Sequence, residues 1–130
     1  MDKINKKVLV VEDEEVLRRA LVDNLNSEGF NVISAANGEE GLELALKESP
    51  DLILVDIVMP QMDGIVMAQK IRAQKGDVIP MIILTNFDDP EHVRRAVESN
   101  IFDYFIKSEW RIKDVMIAVK KKLGLRNHHS

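Results

Sequence analysis

The feature that most constrains the fold of this chain is a set of short apolar runs separated by segments of helical period. The runs are Val8 to Val11, Val32-Ile33, Leu52 to Val55, Met81 to Leu84 and Phe102 to Ile106. The first, third and fourth are continuous rather than alternating, as strands buried on both faces of a parallel sheet must be. These three are expected at the centre of the sheet, with Val32-Ile33 nearer an edge. Apolar stripes at helical spacing fill the gaps: Leu17, Ala20, Leu21 and Leu25; Leu42, Ala45 and Leu46; Ile65, Ala68 and Ile71; Val93, Ala96 and Val97; and Ile112, Val115, Met116, Val119 and Leu123. Each stripe covers one face of its helix.

The punctuation agrees with the periodicity. Asn37 with Glu40 three residues on reads as a capping box, Asp89 before Pro90 as a first helical turn, and Gly29, Gly76 and Gly124 as helix stops. Right-handed crossovers then give an α/β three-layer sandwich with five strands and five helices. In such open sheets a site lies at the carboxyl ends of the strands, near the switch in strand order. The 130 residues hold no Pro/Gly/Ser linker and no repeat, so one domain over residues 1–124 is expected, with 125–130 a disordered tail beyond Gly124.

Composition excludes several function classes. Without cysteine, neither a disulfide framework nor a Cys-ligated metal centre is possible. No apolar run approaches the roughly 20 residues that span a bilayer, so a cytoplasmic protein with no membrane partner is expected. The net charge of -4 opposes the cationic surface that binding to DNA demands, so direct nucleic-acid contact is not expected. Lys120-Lys121-Lys122 falls at a helix end, where cations complement the dipole, and reads as that before it reads as a docking patch. His92, alone in a first helical turn, reads as solvated surface.

At the strand ends stand Glu12-Asp13, Asp56, Thr85 and Lys107, each directly after an apolar run. Any one of them is explained as a cap or loop residue; their convergence on one sheet edge is what carries meaning. Three carboxylates held together raise one another's pKa values unless a cation shares the site, and hard oxygen ligands select Mg2+ or Ca2+. The twelve-residue calcium loop is missing, which favours Mg2+. A lysine and a threonine facing this cluster supply a cation and a hydroxyl donor for oxygens that are not the protein's own, and a phosphoryl group fits.

The segments Val8 to Asp13, Leu52 to Gly64 with Met59-Pro60 and Asp63-Gly64, Ile82 to Thr85, and Tyr104 to Lys107 resemble the receiver domains of two-component response regulators. The resemblance runs from about Lys7 to Leu123. It implies a flavodoxin-like parallel sheet of order 2-1-3-4-5, and a signalling switch that catalyses only its own phosphorylation and dephosphorylation. It further implies Asp56 as phosphoacceptor, Asp13 as a direct Mg2+ ligand, Glu12 holding the ion through water, and the Val58 backbone carbonyl completing the protein ligands. The donor would be the phosphohistidine of a sensor histidine kinase or phosphotransfer protein. Thr85 and Tyr104 would be the switch pair, read by partners on the face of helix four, strand five and helix five, in a monomer or a phosphorylation-dependent dimer.

Two positions depart from the family pattern: Lys107 is followed by Ser108 where proline is usual, and Thr85 by Asn86 where a small residue is usual. A trans Lys107-Ser108 peptide is expected, because a cis bond without proline costs about 2.5 to 4 kcal/mol. In the resemblance Val58 and Phe87 would flank the approach of hydrolytic water, with Asn86 adding bulk nearby, and neither apolar side chain can orient water, so a long-lived aspartyl phosphate is expected. A Mg2+-dependent phosphohydrolase would need a second carboxylate at Val58, which is absent. A receiver that binds partners without being phosphorylated would be expected to have lost some of these five residues.

Overall fold

The computed structural model describes residues 4–56, 62–76, 78–84, 90–99, 104–106 and 111–125; at 90, 92, 93, 96, 99 and 104–106 it describes the backbone alone. Strands and helices alternate: β1 (Lys7–Val11), α1 (Glu15–Ser27), β2 (Asn31–Ala35), α2 (Gly38–Glu48), β3 (Leu52–Asp56), α3 (Gly64–Lys75), β4 (Met81–Leu84), α4 (Pro90–Ser99), β5 (Tyr104–Ile106) and α5 (Ile112–Lys122). The strands form one parallel sheet in the order β2-β1-β3-β4-β5. The continuous runs are its interior strands and Val32-Ile33 lies on an edge strand, as the pattern of burial requires.

Successive side chains of a strand point to opposite faces, and this alternation divides the core in two. Leu9, Val11, Ile53, Val55, Met81 and Ile83 pack with Ile65, Met67, Ala68 and Ile71 of α3 and Ala45 of α2. Val8, Val10, Leu52, Leu54, Ile82 and Leu84 pack on the other face with Leu21 and Leu25 of α1 and Val115, Met116 and Val119 of α5. The chain passes from β1 out to β2 and returns to β3 on the other side of β1. The switch in strand order therefore lies between β1 and β3, and a crevice opens at their carboxyl ends.

Helix boundaries follow local chemistry. The Asn37 side chain accepts from the Glu40 amide at 2.8 Å, and α4 starts at Pro90. Gly29, Gly76 and Gly124 all have positive φ, the conformation that ends a helix at little cost for glycine alone.

Four features differ from the sequence expectation. Val97, placed in the apolar stripe of α4, is 58% exposed. The buried surface of α2 is Gly38, Gly41 and Ala45, with Leu42 and Leu46 only half-buried, because the helix lies so close to its neighbours that small residues face them. Lys120 is buried and paired with Glu28 at the end of α1, so it joins two helices as well as complementing a dipole. Just past the expected boundary, Leu125 packs against the α1/α5 side of the core, and its amide donates to the Lys120 carbonyl at 2.8 Å. Residues 126–130 lie outside the described residues, and no described helix is long and apolar enough to cross a membrane.

Gly64 opens α3 against the end of β3. A Cβ at this position would stand 2.4 Å from the Asp56 carbonyl oxygen and 3.0 Å from Val55 Cγ2. Neither atom belongs to a flexible side-chain end, so the backbone itself must give way. Gly64→Ala is expected to cost about 1 to 3 kcal/mol by overpacking, read as a lowered denaturant midpoint at unchanged slope.

Candidate functional site

The site is built from the register of the two strands beside the switch. Val11 pairs with Val55, so Glu12, the next residue after β1, comes level with Asp56, the last residue of β3. Asp56 pairs in turn with Leu84, the last residue of β4, and Leu84 with Ile106, the last of β5. The polar residues thus begin where the sheet's apolar layer ends. One carboxylate oxygen from each of Glu12, Asp13 and Asp56 lies within 4.8 Å of the others. Glu12 is buried at 2% exposure, Asp56 is intermediate and Asp13 is exposed.

The acidic turn is held from several sides. The Glu12 amide donates to the Ala35 carbonyl of β2 at 3.0 Å, and the Glu14 amide donates to Glu12 Oε2 at 3.0 Å. Arg18, one turn into α1, donates from Nη1 to the Glu12 carbonyl at 2.8 Å and, more weakly, to the Asp13 carbonyl at 3.5 Å. On the other side of the crevice, Asp63 caps α3 by accepting from the Val66 amide at 2.9 Å. Its second oxygen faces Arg95 of α4 at 3.3 Å. The turn at Asp63-Gly64 is thus shaped by a helix cap and a close backbone approach.

The sequence expectation of a carboxylate cluster is met by Glu12, Asp13 and Asp56. Val58, Thr85, Asn86, Phe87 and Lys107, and the Lys107-Ser108 peptide, lie outside the described residues. Tyr104 is described by its backbone alone, as the first residue of β5 in register with Ile82. Arg18 and Arg95 escaped the sequence reading. The signal for Arg18 was present: a cation one helical turn after an acidic pair sits within reach of the preceding strand end. Nothing in sequence joins Arg95 to Asp63, which are 32 residues apart.

Burial pushes the Glu12 carboxyl up to about 8; the Glu14 amide pulls it down, and the Asp56 charge and the neighbouring Asp13 push it up further. A buried carboxyl crowded by neighbouring acids is relieved by a cation placed among them. In protein freed of metal by a chelator, the folded state binds the Glu12 proton more tightly than the unfolded chain, whose ordinary value is 4.5. The stability that this lends is therefore full below the unfolded value and lost as pH rises through about 8. The melting temperature of the wild type is expected to fall relative to Glu12→Gln across that window, and a constant difference between the two would contradict it.

Comparison with known proteins agrees with this geometry. The profile of the response regulator receiver domain matches residues 8–120. The alkaline phosphatase synthesis transcriptional regulatory protein PhoP of Bacillus subtilis is 40% identical over 104 residues, covering 80% of this chain and 43% of that protein. The chain spans about half the length, or less, of the first curated relatives that it matches. The sporulation initiation phosphotransferase F of Bacillus subtilis matches end to end, 33% identical over 125 residues, covering 96% of this chain and 99% of that one. Among solved structures, a CheY-like response regulator receiver domain protein from Methanospirillum hungatei JF-1 superposes with a TM-score of 0.84 at 26% identity, covering 93% and 95% of the two chains. With acids at the ends of β1 and β3 at the switch point of such a sheet, and a family profile matched along nearly its whole length, the chain belongs to the response regulator receiver domains of two-component systems.

Proposed function

We propose that Asp56 is the phosphoacceptor of a Mg2+-dependent signalling switch, phosphorylated by a sensor histidine kinase or a phosphotransfer protein. The observation that carries this reading is the meeting of the Glu12, Asp13 and Asp56 carboxylates at the switch point of the sheet. Three carboxylate oxygens with a buried acid among them form a hard, anionic donor set that fits Mg2+. Asp13 and Asp56 would hold the ion directly, Glu12 through water, and the Val58 carbonyl would add a fourth protein oxygen. Bound there, Mg2+ supplies charge neutralisation for the phosphoryl oxygens.

The chemistry asked of the chain is modest. An Asp56 oxygen attacks phosphorus in line, the bond from phosphorus to the donor imidazole nitrogen breaks, and the imidazole leaves. Lys107 and Thr85 follow in sequence directly after the last residues of β5 and β4, whose register brings those strand ends level with Asp56. The lysine ammonium would pair with the phosphoryl oxygens and the threonine hydroxyl would donate to one of them. The acyl phosphate carries about two negative charges where Asp56 carried one, which draws Thr85 inward and biases Tyr104 and the α4/β5/α5 face toward a second packing. Partners would read that face, whether in a monomer or in a dimer formed on phosphorylation. The reading makes residues 1–124 a receiver unit of a cytoplasmic protein, catalysing only its own phosphorylation and slow dephosphorylation.

Incubation with Mg2+ and a small phosphodonor, or with a phosphorylated kinase, is expected to add one phosphoryl group. Intact mass should show the addition in the wild type and none in Asp56→Asn, while Asp13→Ala should weaken Mg2+ binding about tenfold or more. Continued labelling of Asp56→Asn would overturn the assignment. The label is expected to be long-lived, because neither Val58 nor Phe87 orients water. Val58→Asn and Phe87→Glu should shorten its lifetime, and a tenfold change corresponds to about 1.4 kcal/mol in the hydrolytic barrier. Unchanged decay in both would remove these side chains from the mechanism.

A further inference from the structure

The guanidinium of Arg18 is directed at main-chain oxygens of the acidic turn. Its Nη1 lies 2.8 Å from the Glu12 carbonyl and 3.5 Å from the Asp13 carbonyl. The Arg18 amide is held in turn by the Glu14 carbonyl at 2.9 Å, so the side chain springs from a residue already fixed by helical bonding. The outer edge of the turn is tied to β2 through the Glu12 amide and Ala35. Between these two anchors the chain leaves the sheet, reverses into α1 and carries two of the three acids of the site, Glu12 and Asp13. Asp13, the exposed one, has no strand beneath it to fix its direction.

We propose that Arg18 is a positioning residue for the metal centre: it braces the turn from β1 into α1 so that Glu12 and Asp13 stand ready beside Asp56. This rests on the reading of the acidic cluster as a Mg2+ site. The proposal has a sign that separates it from a simple charge effect. As a cation, Arg18 opposes the entry of a divalent ion, so on charge alone its removal tightens Mg2+ binding, and salt erases the gain. As a brace, it holds the turn before the ion arrives, so its removal obliges binding to order the turn and weakens affinity at every ionic strength. Both bonds leave one nitrogen, Nη1, whose N–H directions are set by the rigid guanidinium plane; a lysine ammonium keeps the charge but has a shorter stem and freely rotating donors, so Arg18→Lys does not restore the brace.

Calorimetric Mg2+ titration of the whole chain tests this in wild type, Arg18→Ala and Arg18→Lys, at low and high salt, beside amide exchange across residues 12–14 without metal. The expected result is about tenfold weaker binding in both variants, persisting at high salt, with faster exchange at those amides. Melting in chelator establishes that each variant is folded, and Arg18→Lys alone carries the test if Arg18→Ala is not. Binding in the variants equal to or tighter than wild type would overturn the brace. Absence of Mg2+ binding by the wild type would overturn it together with the metal reading. A wild type that binds Mg2+ but takes no label at Asp56 would sink the phosphorylation reading alone, and weaker binding in the Arg18 variants would still support the brace.

Discussion

Everything in this structure depends on a parallel sheet whose interior strands are covered on both faces. Main-chain groups of β1, β3 and β4 are satisfied within the sheet, and their side chains have no exposure to spare for charge. Acidic groups can stand only where the covering helices end. Because all strands run the same way, those places gather at one edge, and because the strand order reverses between β1 and β3, the gathering is densest there. The site is a consequence of the sheet's topology before it is a matter of any single residue.

The same geometry sets the electrostatic problem. A carboxyl at the foot of the crevice, buried as Glu12 is, and two more within 4.8 Å cannot all be charged without compensation. The protein meets part of the demand with dipoles: the Glu14 amide points at the Glu12 carboxylate. It does not neutralise the cluster with Arg18, whose Nη1 hydrogen bonds go to carbonyl oxygens. The result is an acidic cluster whose first turn is fixed by hydrogen bonds to its main chain and to Glu12, an arrangement suited to binding a hard cation.

How much of this was legible in the sequence varies with the range of the interaction. Continuous apolar runs identified the interior strands because double-sided burial leaves a local pattern, and Asn37, Pro90, Gly29, Gly76 and Gly124 marked helix ends because capping and positive φ are local chemistry. The three acids could be grouped because the Glu12-Asp13 pair and Asp56 each directly follow an apolar run. What escaped were contacts between distant segments whose periodicity carries no trace. Gly41 faces Val11 and Met67 so closely that an added Cβ would meet the Met67 sulfur at 2.8 Å, and a glycine on a buried helix face looks like a helix weakness until the neighbour is seen. Lys120 sits in an apparently solvated lysine run yet pairs with Glu28 of another helix. Val97 obeys the helical period but faces outward, because a stripe gives the face of a helix and not what lies against it.

Asp63 serves two helices with one carboxylate: one oxygen caps α3, the other meets Arg95 of α4. The two helices are therefore mechanically linked through a single side chain that stands seven residues after Asp56. The bond to the Val66 amide anchors the carboxylate, while the link to Arg95 is half-exposed and worth at most about 1 kcal/mol. A lateral slide of α4 beyond hydrogen-bond reach thus breaks the outer link and leaves the helix cap intact. One carboxylate thus carries two contacts of unequal strength, and losing the weaker one, to α4, would leave the start of α3 and the strand before it as they are.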